Sequence, residues 1–261
     1  MFDFHAHSSL SFDGRTEPAR LAIAAREKGI KELCFTDHMD FDPVAPDAKL
    51  HFTMEEFHRT FDSLQVPGIT IRLGVEFGML PDNRERMDSF IKGYPFDYVI
   101  GSAHFANGYD PYYDGYWEGK TLQQAELGYL EEILACVRAQ EEFDVLGHLT
   151  YITKTRPNPE KRPVPYDLYR EVIDEILKIL VAGGKGLEVN TSGMDCSGQF
   201  LPPAEYLHRF KELGGRIVTV GSDAHNTARI GQYCREACQM VQDIFGYVCT
   251  FEKRTPVFHR L

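Results

Sequence analysis

Positive charge is scarce. The 261 residues carry 28 Lys and Arg against 39 Asp and Glu, a formal net charge of −11. A general nucleic-acid or membrane-surface binder needs clustered cations, so this balance argues against both. It also sits awkwardly with an anionic substrate. Cysteine is sparse as well: Cys34, Cys136, Cys196, Cys234, Cys238 and Cys249 include no C-x-x-C pair. A disulfide scaffold is therefore not expected, and free thiols suit a reducing cytoplasm. No uncharged run approaches the roughly 20 apolar residues of a membrane span. The opening Met-Phe-Asp-Phe-His has no basic stretch followed by an apolar one, so no signal peptide is expected. No low-complexity linker interrupts the chain, and its length suits one α/β domain over 1–261.

Short apolar runs alternate with longer amphipathic ones. The runs 1–5, 32–36, 70–76, 98–103, 144–148, 186–190 and 216–221 have strand length and are rich in Val, Ile, Leu or Phe. Helical patterns occupy 18–28, 54–64, 122–140, 166–182, 203–213 and 229–245. Thr53 with Glu56 has the spacing of a capping box, and Gly183-Gly184 and Gly214-Gly215 are stop signals. Repeated strand–helix units predict a parallel sheet with helical crossovers. An open doubly wound sheet is one solution; seven similar units suit a closed barrel better. Two long loops, 105–121 and 151–165, are functional candidates by length alone. The first holds Tyr109, Tyr112, Tyr113, Tyr116 and Trp117, and is placed to fold over a site or pack on the surface. The second holds Lys154, Arg156, Lys161 and Arg162.

In a parallel barrel the reactive groups sit at the C-terminal ends of the strands. Here those ends read His5-Ala6-His7, Asp37-His38, Glu76, His104, His148, Asn190 and Asp223-Ala224-His225. Six of the seven deliver a histidine or a carboxylate to one rim. Residues two apart on an extended segment share a face, so His5 with His7, and Asp223 with His225, can reach one ion or two neighbours. Imidazole plus carboxylate without thiolate suits divalent Zn, Mn or Fe. His51, His58, His208 and His259 lie outside these positions and are expected to be structural.

The segments DFHAHS at 3–8, FTDHMD at 35–40, GSAHF at 101–105, LGHLTY at 146–151 and GSDAH at 221–225 resemble the motifs of the PHP (polymerase and histidinol phosphatase) superfamily. The resemblance spans essentially the whole chain. It is greatest to the stand-alone histidinol-phosphatase branch, through HFANG, LEVNTSG and the TFEKRTPVF tail. It implies a distorted (β/α)7 TIM-like barrel with three divalent metal ions. His5, His7 and Asp223 would bind the first, Glu76 would bridge it to a second held by His104 and His148, and Asp13, His38 and His225 would hold the third. It further implies a cytoplasmic, metal-dependent phosphomonoesterase of histidine biosynthesis that hydrolyses L-histidinol phosphate with a metal-bridging hydroxide, or a phosphatase or phosphodiesterase for another small phosphate ester. Three divalent ions add six positive charges and relieve the tension with an acidic chain.

Around these ligands, Asp37 is a candidate for orienting a histidine or holding a loop. Arg156, Lys154 and Arg229 are candidate phosphate clamps. Ser8 and Asn190 are candidate substrate contacts. A nuclease-type module expects a basic groove, which the charge balance opposes. A non-catalytic scaffold would lack ligands, and none is missing.

Overall fold

A computed structural model describes residues 1–155 and 157–260. In chain order the elements are β1 (Phe2–Ala6), α1 (Pro18–Glu27), β2 (Glu32–Phe35), β3 (His38–Met39), α2 (Met54–Phe61), β4 (Thr70–Gly78), α3 (Arg84–Lys92), β5 (Tyr98–Ser102), α4 (Asp114–Trp117), α5 (Leu122–Ala139), β6 (Val145–Leu146), α6 (Arg170–Ala182), β7 (Gly186–Asn190), α7 (Met194–Ser197), α8 (Ala204–Glu212), β8 (Val218–Gly221), α9 (Cys234–Phe245), β9 (Val248–Glu252) and β10 (Thr255–His259).

The strands pair in parallel in the order β1-β2-β4-β5-β6-β7-β8, a nearly closed barrel of seven with helical crossovers. β3 continues the line of β2 after a break at Thr36-Asp37 and pairs with β4, setting His38 opposite Glu76. The expected distorted (β/α)7 barrel is thus observed. Each strand is buried along most of its length, which is why it reads as an apolar run rather than an alternating one. The helices cover the outside through single apolar faces, as with Phe57 and Phe61 on α2 or Met87 and Ile91 on α3. Both α2 and α5 open with complete capping boxes, Thr53 with Glu56 and Thr121 with Gln124. No helix among the described residues is long and apolar enough to cross a membrane.

The barrel closes at the end that matters for chemistry. Asp223 N donates to His5 O at 2.8 Å and His7 N to Ala224 O at 2.9 Å. The two-apart pairs His5/His7 and Asp223/His225 therefore lie side by side by backbone register. Gly221 permits the approach, since a Cβ there would sit 2.2 Å from His5 Cβ. Below this seam the Asp3 carboxylate replaces ladder bonds. It accepts from Ser222 N (2.8 Å), Ser222 Oγ (2.6 Å) and Gly231 N (2.8 Å) in a fully buried position. Burial pushes this carboxyl up from its ordinary range, although the Ser222 and Gly231 bonds favour the ion. Asp3→Ala leaves those donors unpaired and is expected to destabilise the fold by about 3 kcal/mol. Urea unfolding would show this as a lower midpoint at unchanged slope; an unchanged midpoint would contradict it.

Several features depart from the sequence reading. The last long helix begins at Cys234 rather than 229, because Gly231 and Tyr233 adopt left-handed backbone (φ 67° and 58°). Residues 227–230 instead form a turn whose carbonyls, of Thr227, Ala228 and Ile230, accept from Lys28 Nζ. The 166–182 pattern splits into a short 3-10 turn and α6. Helix α3 and the β9–β10 hairpin were not anticipated. The hairpin turns on Lys253 and Arg254, both left-handed (φ 49° and 63°), as a tight two-residue hairpin turn requires. It seals the N-terminal mouth of the barrel: Phe251 packs on Tyr98, His259 on Phe2, and Arg254 pairs with buried Asp144 at 2.6 Å.

Candidate metal centre

The nine residues expected to bind metal converge at the C-terminal mouth. Glu76, fully buried at the end region of β4, is the hub. Its Oε1 accepts from Ser102 Oγ (2.6 Å) and lies 2.8 Å from His148 Nε2 and 3.2 Å from His104 Nε2. Its Oε2 lies 3.1 Å from His5 Nε2, 3.4 Å from His7 Nε2 and 3.1 Å from His38 Nδ1. One carboxylate thus faces two sets of imidazoles. Asp223 Oδ1 is 3.3 Å from His7 Nε2 and 3.7 Å from His5 Nε2. Asp13, on the loop after β1, reaches His225 Nε2 at 3.0 Å and His38 Nε2 at 3.7 Å. Ligand atoms of His5, His7 and Asp223 fall within 4.8 Å of one another, as do those of His5, Glu76 and His148, and of His7, His38 and His225.

The donor set fits divalent cations. His5 Nδ1 donates to Glu188 Oε1 at 2.5 Å and His7 Nδ1 to Ser11 Oγ at 3.1 Å, so both Nε2 lone pairs point inward, only 3.0 Å apart. His104 Nδ1 donates to Asp40 Oδ1 (2.8 Å) and His225 Nδ1 to Asp223 O (3.0 Å), again turning Nε2 to the cluster. An outer acceptor on one ring nitrogen is what orients a metal-binding imidazole. Glu76 Oε2 is buried without a hydrogen bond among the described residues. Lone pairs and a carboxylate oxygen aimed at each other repel unless a cation or protons lie between them.

Without a cation the histidines and carboxylates hold each other's charge. Burial opposes ionisation of Glu76, but the His5, His104 and His38 imidazoles hold its carboxyl well below the usual range. Burial likewise opposes charge on His104, yet Asp40 and Glu76 carry it up to about 10. His7 goes the other way: burial, then the His225 and His38 rings, hold it well below the ordinary value.

Two contributors escaped the sequence reading. Asp40 touches both His38 (3.1 Å) and His104. Its signal was its place two residues after His38 on an extended segment. Glu188, inside β7, holds His5 Nδ1 and accepts from His148 N at 2.8 Å. A carboxylate within a buried strand run was the available signal.

The candidates around the ligands scatter. Asp37 accepts from Ser8 N and Oγ and from Ser11 N and Oγ, so it ties down the loop after β1. Through Ser11 it also bears on His7. Ser8 is fully buried on Asp37 and does not line the cavity. Asn190 lies beneath Asp223, its Nδ2 3.3 Å from Asp223 Oδ2 and from Glu188 Oε2. Lys154 lines the cavity and bonds Asp223 Oδ2 and Ser192 Oγ. Arg229, expected beside the substrate, turns to Asp195 outside the cavity lining. Arg162 anchors its loop on buried Glu126 at 3.0 Å. Arg156 lies outside the described residues.

A cavity of about 450 Å³ opens above the cluster, with His38, His104, His148, Asp223 and His225 in its floor. Phe12, Leu50, Phe105, Tyr112, Tyr113 and Tyr151 contribute to its walls. The dimensions suit a small molecule.

Residues 3–192 match the PHP domain model, and the chain belongs to the PHP domain family. Among curated relatives it is 32% identical to a histidinol-phosphatase of Lactococcus lactis, over 87% of this chain and 85% of that one. It is 31% identical to a Clostridium acetobutylicum protein named "Probable histidinol-phosphatase", over 97% and 98% of the two chains. Among solved structures, the histidinol phosphate phosphatase of Lactococcus lactis in complex with Zn, L-histidinol and phosphate superposes with a TM-score of 0.82 at 28% identity, covering 98% of both chains.

Proposed function

We propose that this chain is a metal-dependent phosphomonoesterase that hydrolyses L-histidinol phosphate to L-histidinol and phosphate, as one domain acting in cytoplasmic histidine biosynthesis. The observation that carries the reading is the convergence of six inward-turned imidazoles with Asp13, Glu76 and Asp223 at the floor of a small cavity. His5, His7 and Asp223 would hold one ion, Glu76 with His104 and His148 a second, and Asp13, His38 and His225 a third, the ions being Zn, Mn or Fe. When bound, such ions acidify water and neutralise charge on phosphoryl oxygens.

The chain's own residues do the positioning. Glu188, Ser11 and Asp40 lock the rings of His5, His7 and His104. Lys154 Nζ, poised over Asp223, supplies a cation for the phosphoryl oxygens. Aromatic walls limit water around the ester. Hydrolysis forms one bond from phosphorus to a water oxygen, breaks the bond to the alcohol oxygen and delivers a water proton to that oxygen, with no side-chain nucleophile required.

A second reading, phosphatase action on another small phosphate ester, has one observation in its favour: the ligand set specifies the reaction and not the leaving group. A panel of phosphate esters decides between them. The metal-loaded protein should show kcat/KM for L-histidinol phosphate at least tenfold above that for glycerol phosphate or a nucleoside monophosphate; a higher value for another ester would favour the second reading.

A further inference from the structure

We propose that Lys28, at the outer end of α1, is a positioning residue for the metal site of Asp13, His38 and His225, because it holds the turn directly behind His225. The inference rests on the reading of the cluster as a metal-dependent phosphatase centre. His225 is the ligand with the least packing of its own. Its side chain is 28% exposed, against 11% or less for the other five imidazoles. Asp13, its partner at 3.0 Å, is 39% exposed. Where side-chain packing is thin, the backbone must place the ring.

That backbone is pinned on both sides of His225. On the near side stand the seam bonds from Asp223 N to His5 O and from His7 N to Ala224 O. On the far side, the turn at 227–230 satisfies its N–H groups from within. Asn226 Oδ1 accepts from Ala228 N at 3.1 Å and from Arg229 N at 3.2 Å, and Asn226 O accepts from Ile230 N at 3.2 Å. Three of its carbonyls look outward instead. Thr227 O, Ala228 O and Ile230 O converge on Lys28 Nζ at 3.0, 2.7 and 3.0 Å. They take all three ammonium protons. Carbonyl dipoles aimed at one point repel each other unless a cation lies between them. A lysine at a helix C-terminus ordinarily serves the carbonyls of its own last turn. This one serves the turn before α9. Buried Asp3 favours the ammonium against the burial that lowers it, and it accepts from Gly231 N at 2.8 Å. Lys28 and Asp3 together fix where the chain leaves His225.

The test is Zn uptake by the chelated full chain, followed step by step through competition with a chromophoric chelator. Asp13→Asn marks the site, and the uptake step it weakens most is the one compared. Lys28→Met keeps the aliphatic stem and removes the donors. It should weaken that step about tenfold and leave the other steps within about twofold of wild type. Arg26→Met removes the same charge from the same helix end, where Arg26 donates to Pro67 O instead, and should leave every step unchanged. Lys28→Ala should weaken the marked step as Lys28→Met does, and recover when propylammonium, the missing part of the side chain, is added. Lys28→Met should not recover, because its stem fills the space. A marked step in Lys28→Met within twofold of wild type, equal weakening of all steps, a matching loss in Arg26→Met, or Lys28→Ala left unrescued would each overturn the assignment. A wild type that binds Zn yet cleaves no phosphate ester would overturn the phosphatase reading alone, and the Zn comparison would still decide for or against Lys28.

Discussion

Glu76→Gln is expected to lower kcat for phosphate-ester hydrolysis by about 10³-fold, and to reduce the metal bound per chain. The reason is the hub geometry. Both carboxylate oxygens face imidazole nitrogens at 2.8 to 3.4 Å, on two sides of the cluster. The amide has nearly the same volume, so packing around Ser102 and β5 survives. It carries no charge, however, and one of its ends is a donor with nothing to offer a cation. Ion exchange followed by elemental analysis and steady-state kinetics would read both effects. Wild-type turnover at full metal content would show that Glu76 is not the bridge.

Removing metal should also cost stability. Five carboxylates, Asp13, Asp40, Glu76, Glu188 and Asp223, surround the six imidazoles, most of them deeply buried. A ligand that binds only the folded state at 1,000 times its Kd stabilises by about 4 kcal/mol per site. In a chain of this size each kcal/mol moves Tm by roughly 2–4 °C. Calorimetry of the metal-loaded protein against the chelated one is therefore expected to differ by about 10 °C or more. Equal transitions would mean that the cluster holds its shape through proton sharing alone.

The candidate ligands were legible as a cluster because a parallel barrel gathers its strand ends at one rim, where a histidine or acid breaks an apolar run. His5, Glu76, His104, His148 and Asp223 all stand at such breaks. Asp13 was not legible that way; it lies in an irregular loop and entered through motif resemblance. Glu188 was hidden because one charge inside an apolar strand looks the same whether it faces solvent or the barrel interior. The residues around the ligands were harder still. Sequence proximity put Arg229 near His225, but left-handed backbone at Gly231 and Tyr233 reshapes that segment, and Asp195 captures the guanidinium. Ser8 stands beside His7 yet donates to Asp37, in the loop beyond the end of β1. The β9–β10 hairpin escaped because its turn, Lys253-Arg254, carries none of the Asn or Gly that usually marks left-handed backbone. Net charge changed meaning once its carboxylates had places. Five of the 39 carboxylates are gathered at a spot where cations would reverse their charge.

One titration tests the metal dependence of this chain most directly. Chelated protein is reloaded with Zn, Mn or Fe in steps, and turnover of L-histidinol phosphate is followed against metal bound per chain. Turnover should be absent in the metal-free protein, rise with occupancy and level off at three ions per chain. Full turnover in metal-free protein, or metal uptake without any turnover of a phosphate ester, would contradict it.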